Sequence, residues 1–111
     1  MSGEQVLLVL TNLPDRDSAQ RMAEALIAER AAACVNILGT CSSVYRWQGR
    51  TETANETPLL IKTTQAAYER LETLIRAYHP YELPEIIAVP VSSGLPGYLQ
   101  WVAQETTLQP E

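Results

Sequence analysis

Residues 59–91 read LLIKTTQAAYERLETLIRAYHPYELPEIIAVPV, and this stretch decides the fold. Leu59, Leu60 and Ile61 open it as a short apolar run of strand type. From about Gln65 to Tyr78 the positions Tyr68, Leu71, Leu74, Ile75 and Tyr78 recur at the spacing of one helix face, and Pro80 stops that helix. Glu85 to Val91 (EIIAVPV) reads as a further strand, which completes a strand–helix–strand unit. A shift of 52 residues lays the N-terminal half on this unit: Leu7, Leu8 and Val9 fall on Leu59, Leu60 and Ile61. Ala19, Met22, Ala23 and Leu26 then fall on Leu71, Leu74, Ile75 and Tyr78, and Cys34, Val35 and Ile37 on Ile86, Ile87 and Val89. Identities are few, so what repeats is the pattern.

Outward from there, Val6 to Thr11 is the first strand, and Asn12 to Asp15 reads as a loop leading into the cap of a first helix that runs from Asp17 onward. Asp15 and Asp17 suit that helix start, one as cap and both as complements to its dipole. Cys34 to Leu38 begins a second strand that passes Gly39 and continues through Trp47 to a turn at Gln48 and Gly49. Thr51 to Thr57 returns as the third strand, ending on Leu59 to Ile61, with Pro58 predicting an edge position or a bulge. Pro96 to about Glu105 reads as a short C-terminal helix anchored by Tyr98, Leu99, Trp101 and Val102. The order βαββαβ plus a tail helix is the split βαβ of an α+β ferredoxin-like sandwich, with both helices on one face of an antiparallel sheet. All 111 residues form one domain.

Two helices cover one face of such a sheet, so a monomer's strands should alternate apolar and polar. Val6 to Leu10, Leu59 to Ile61 and Ile86 to Val89 are instead apolar on consecutive positions. The second face therefore needs cover, from the tail helix or from another subunit. The long hairpin from about Asn36 to Thr57 favours another subunit, because its outer half projects beyond a four-stranded domain.

Eight basic against 13 acidic residues give a net charge of -5, and Lys62 is the only lysine, which argues against nucleic acid as a partner. Two cysteines are too few for a disulfide-stapled scaffold. The polar start at Ser2 to Glu4 lacks a basic signal-peptide opening, and no apolar run approaches membrane-spanning length, so the expectation is a cytoplasmic protein with no membrane partner.

No glycine-rich phosphate loop and no GxSxG elbow is present, and the expectation is a protein that is not an enzyme. Cys34 sits at the start of an apolar strand, as a buried small hydrophobe would. Cys34 and Cys41 face opposite sides of an unbroken strand, and a bulge at Gly39 would reverse that parity. His79, the only histidine, precedes a stiff loop, Pro80-Tyr81-Glu82-Leu83-Pro84-Glu85, that presents carboxylates beside it. A lone histidine of this kind is more often a structural hydrogen bonder than a ligand. As metal donors, His79, Glu82 and Glu85 form a weak set that suits Cu(II) better than Zn(II). Tyr45 and Trp47 share one strand face near the hairpin tip, a pattern more often of interface core than of a ligand platform.

These segments resemble the CutA divalent-cation tolerance proteins over essentially the whole chain. The resemblance rests on Thr11, Asn12, Pro14 and Asp15; on Ala32 to Asn36; on SVYRWQG at 43–49; on LIKT at 60–63; on HPYELPEI at 79–86; and on Gly94, Tyr98, Leu99 and Trp101. It implies a trimer with sheets facing inward and the hairpin joining neighbours, a shape shared with the PII signalling proteins. It implies a role in tolerance of copper and other divalent ions; with His79 the only imidazole, the expectation is a divalent cation bound weakly and no organic cofactor. The alternatives are a PII-like module whose inter-subunit clefts, lined by Tyr45, Trp47, His79 and Glu85, hold a small molecule or anion, and a protein-interaction scaffold. The copper ligands proposed in the family, a strand-one cysteine and two consecutive histidines, align here with Thr11, Tyr78 and His79, so only His79 is retained.

Overall fold

The computed structural model describes residues 4–108. The first strand, β1 (Val6–Leu13), runs two residues beyond its apolar stretch because Asn12 and Leu13 still pair, with Pro58 and Thr57. Helix α1 (Arg16–Ala28) starts at Asp15, whose carboxylate accepts the Ser18 N–H at 2.8 Å. It ends in a Schellman arrangement: Arg30 N–H donates to Ile27 O, and Ala31 N–H to Leu26 O, each at 3.0 Å. Arg30 holds the left-handed conformation at φ 58, a place where glycine is usual.

The predicted second strand is two strands, β2 (Cys34–Ile37) and β3 (Cys41–Trp47), and both pair with β4 (Arg50–Thr64). Gln48 and Gly49 close the hairpin with φ of 52 and 80, the two left-handed residues of a type I′ turn. Ile37 lies opposite Leu59 and Cys41 opposite Glu56, so one chain takes four steps where β4 takes three. The extra residue is a bulge at 38–40, and Pro58 sits across from it in an interior strand, its carbonyl accepting the Leu38 N–H at 2.9 Å. Proline's missing donor thus falls where the neighbouring ladder is already interrupted. The bulge also places Cys34 and Cys41 on the same sheet face, opposite Lys62 and Glu56 respectively. Those partners are six residues apart on β4, about 20 Å at ~3.3 Å per residue, so the two thiols of one chain stay far apart.

Helix α2 (Gln65–Tyr78) is capped by Thr64, whose hydroxyl accepts the Ala67 N–H at 3.3 Å. Strand β5 (Ile87–Pro90) is shorter than the predicted Glu85 to Val91, since only these four residues pair with β1. Helix α3 (Pro96–Glu105) follows. The sheet order is β2-β4-β1-β5, with every pairing antiparallel, and β3 extends the β4 edge beyond β2. This is the ferredoxin-like order expected of the repeated unit.

Residues 7, 9 and 13 of β1 and residues 59 and 61 of β4 face the helices, where Ala19, Met22 and Leu26 of α1 and Leu71 and Ile75 of α2 complete the core. On the other face lie Leu8, Leu10 and Leu60, all half-buried, with Ile87 52% and Val89 47% exposed. Helix α3 covers one end of that face. It buries Val102, sets Thr106 Oγ1 3.4 Å from Thr64 Oγ1, and brings Tyr98 beside Cys34. Two arginines clamp its C-terminal carbonyls: Arg30 donates to Gln104 O and Thr107 O at 2.8 and 2.7 Å, and Arg70 to Thr106 O at 3.2 Å. The tail helix therefore supplies part of the expected cover, and the rest of the apolar face is open in the single chain. Among the described residues no helix is long and apolar enough to cross a membrane.

Candidate functional site

Where the hairpin leaves the body of the domain, the end of β1, the middle of β4 and the connector after α2 converge. The proline after His79 holds it extended, at φ −76 and ψ 134, while its N–H still donates to Ile75 O at 2.8 Å and closes α2. The ring turns inward and is only 8% exposed. Its Nε2 stands 2.7 Å from the Asn12 carbonyl oxygen, and its Nδ1 accepts the Tyr81 N–H at 3.2 Å. A carbonyl can only accept and an amide N–H can only donate, so the ring is the neutral Nε2–H tautomer. Burial pushes the imidazole below its ordinary pKa, against the opposing pull of the Asn12 carbonyl and the Glu56 charge.

Tyr81 stacks obliquely on this ring, with centroids 4.7 Å apart, and its hydroxyl donates to Glu56 Oε2 at 2.9 Å. Glu56 is a buried carboxylate on β4. Burial first, then the hydrogen bond and charge of Glu56, hold the Tyr81 phenol far above its usual range, with Tyr45 and Asp15 adding to the effect. Asn12 also donates its side-chain amide to Glu85 Oε1 at 3.1 Å. Asn12 thus meets both His79, through its carbonyl, and Glu85, through its side chain.

The residues expected to hold a metal are only partly gathered. His79 and Glu85 meet at Asn12, and both ring nitrogens of His79 are already engaged. Glu82 lines a separate open cavity of about 340 Å³ with Arg76, Tyr81 and Pro84. Among the described residues no group of three or more His, Cys, Asp or Glu side chains is placed to hold a metal ion. Thr11 is fully buried with no partner for its hydroxyl among the described residues, and Tyr78 points to solvent, so Thr11 and His79 do not form a donor set with it. Tyr45 reaches the neighbourhood of Tyr81, whereas Trp47 lies farther out, paired with Arg50 beside the turn. Tyr45 and Trp47 are both exposed in the single chain.

Asn12, Glu56 and Tyr81 were not read as site residues from the sequence, although Asn12 and Tyr81 lie in motifs quoted above. For Glu56 the available signal was a carboxylate three residues before an apolar strand end, and for Tyr81 its place between the two prolines of the loop.

Comparison with known proteins gives a consistent result. Residues 7–105 match the family described as CutA1 divalent ion tolerance protein. A Thermus thermophilus divalent-cation tolerance protein CutA is 43% identical over 89% of this chain and 96% of its own length. The chloroplastic CutA of Arabidopsis thaliana is 37% identical over 90% of this chain, which spans 55% of that longer protein. Among solved structures, CutA from Xylella fastidiosa is 47% identical with a TM-score of 0.89, covering 92% of this chain and 98% of that one. CutA1 from Oryza sativa is 35% identical with a TM-score of 0.91, covering 96% and 97%.

Proposed function

Because the chain belongs to the CutA1 divalent ion tolerance family, we propose that it acts in divalent-cation tolerance as a homotrimer, without a catalytic reaction of its own. The observation that carries the assembly is the open sheet face. Leu10, Leu60, Ile87 and Val89 form a continuous apolar surface that α3 leaves uncovered, and the hairpin extends Val44, Tyr45 and Trp47 into solvent. Copies of the same chain bury both features at once. Light scattering at micromolar concentration tests this: a mass three times that of the 12.3 kDa chain is expected, and a monomer overturns it.

The metal is a divalent ion of the copper class, met weakly by His79 and Glu85 where they converge on Asn12, with Glu82 standing apart from them. Weak binding is supported by the hydrogen bonds of His79, since a metal reaches Nδ1 only by displacing the Tyr81 N–H, or Nε2 only by displacing the Asn12 carbonyl. Cu(II) should bind more tightly than Zn(II) at a nitrogen and carboxylate set. Calorimetric titration of Cu(II) into wild type and His79→Ala should show weak binding that the substitution removes. Tight binding unchanged by the substitution would place the metal at the cysteines instead.

A second reading is favoured by the grouping of Tyr45, Tyr81, Glu56 and His79 at the hairpin root. In it, inter-subunit clefts lined by Tyr45, Trp47, His79 and Glu85 of different chains hold a small molecule, as in PII-like modules. A thermal-shift screen of divalent ions against common metabolites separates the two, because whichever ligand binds the native state raises its melting temperature.

A further inference from the structure

Lys62, the chain's single lysine, sits half-buried on the open sheet face, with Leu8 of β1 and Cys34 of β2 directly across from it. A surface lysine ordinarily extends into water. This one turns along the sheet, donating to the Asn36 side-chain oxygen and to Cys34 Sγ, the latter at 3.7 Å. Register keeps the pair together: Cys34 and Lys62 are cross-strand partners on one face, and among the described residues β2 has no strand on its other side. Tyr98 of α3 closes over the sulfur, and burial, followed by the nearby Cys34, raises its phenol above the ordinary range. Thiol and amine, the chain's two strongest classes of nucleophile, therefore stand within one short side-chain movement of bond formation.

We propose that Cys34 and Lys62 form an oxidation site at which a peroxide joins the two side chains through a sulfur–nitrogen bond. In the first step the Cys34 sulfur attacks one peroxide oxygen. The S–O bond forms as the O–O bond breaks, the sulfur loses two electrons to the peroxide, and the departing oxygen leaves as water. The thiol proton ends on that departing oxygen, and the Lys62 ammonium beside the sulfur stabilises the negative charge that develops on the oxygen as the O–O bond breaks. In the second step Lys62, having released its extra proton to solvent, attacks the sulfenic sulfur with its lone pair. The S–N bond forms, the S–O bond breaks and a second water leaves. Thiol, amine and one peroxide become a sulfenamide and two waters, and the chain is lighter by two hydrogens.

Cys41 is the internal contrast. Its Sγ contacts Ser43 Oγ at 3.7 Å, a hydroxyl that is a poor nucleophile toward sulfenic sulfur, so oxidation there has no comparable partner. At Cys34 the link staples the four-residue edge strand β2 to β4 beneath α3. It is reversible, because an added thiol attacks the sulfenyl sulfur and frees the amine.

The test uses the full chain carrying Cys41→Ser, treated with equimolar hydrogen peroxide and then capped with an alkylating agent. The expected product lacks two hydrogens and resists alkylation. After cleavage at glutamates it yields residues 30–52 joined to residues 57–69, and dithiothreitol separates them. Lys62→Arg, which keeps the positive charge, should give no joined peptide and a Cys34 that dimedone traps. Cys34 recovered as free sulfenic or sulfinic acid with Lys62 unmodified in the Cys41→Ser protein overturns the proposal, and this result does not depend on whether the Lys62 variant folds.

Discussion

The imidazole Nε2 of His79 lies 2.7 Å from the backbone carbonyl oxygen of Asn12, joining the end of α2 to the end of β1 across 67 residues of sequence. Its second bond, in which Nδ1 accepts the Tyr81 N–H, needs the neutral ring, because a protonated Nδ1 cannot accept. Burial, outweighing the Asn12 carbonyl and the Glu56 charge, holds the folded pKa below the unfolded value of 6.5. The stability this residue contributes is complete above about pH 6.5 and is lost as pH falls through the folded value. Urea unfolding of wild type and His79→Ala should differ by about 1–3 kcal/mol at pH 8, the range for a buried group that leaves a partner unpaired. The difference should shrink below pH 6, and a gap that widens on acidification would contradict the assignment of the tautomer.

Thr11 and Thr63 make a controlled pair. Both are fully buried, but the Thr63 hydroxyl donates to Ala31 O at 2.7 Å while the Thr11 hydroxyl has no partner among the described residues. Replacement by the isosteric valine should therefore have opposite signs. Thr63→Val should destabilise by about 1 kcal/mol, and Thr11→Val should stabilise by a similar amount by removing an orphaned polar group. Denaturation midpoints at constant slope read both effects.

Tyr81 and Glu56 should be energetically coupled. Tyr81→Phe leaves a buried carboxylate without its donor, and Glu56→Gln leaves the phenol with a neutral acceptor. A double-mutant cycle over the two should return a coupling energy of about 1.5–3 kcal/mol, the range for hydrogen bonds to a charged group. Additive single effects would show that the two groups do not depend on each other.

Trp47→Ala tests the hairpin as an interface. A buried interfacial indole typically costs about 2 kcal/mol or more when truncated, so the variant should dissociate at higher protein concentration than wild type. Unchanged size and melting would return Trp47 to an exposed surface position.

What could be read in advance followed from periodicity. The 52-residue repeat of apolar positions located both strand–helix–strand units, because their inward residues answer to one shared core. Periodicity is silent on residues whose role is set by another segment. The break at 38–40 is one case, since it arises from two registers against β4 that meet out of step. Glu56 is another: its burial follows from Tyr81, 25 residues away, crossing to its carboxylate. His79 was legible as a structural hydrogen bonder, but its acceptor, a backbone carbonyl, leaves no trace in side-chain pattern.

The bulge at 38–40 works as a splice. The register of β2 is held from the inside, by Val35 and Ile37 packed on the core. That of β3 is held from the far end, by the two-residue turn at Gln48 and Gly49. The two anchors disagree by one residue, and the short segment between them absorbs the mismatch. Loss of a single residue there would leave three steps on each strand, so β2 and β3 could run on as one regular strand with both registers kept. That strand would have to pass Pro58, which accepts the Leu38 N–H but has no N–H to return to the Leu38 carbonyl. The surplus residue is thus what lets the chain cross a proline in an interior strand without aiming a carbonyl at a donor that does not exist.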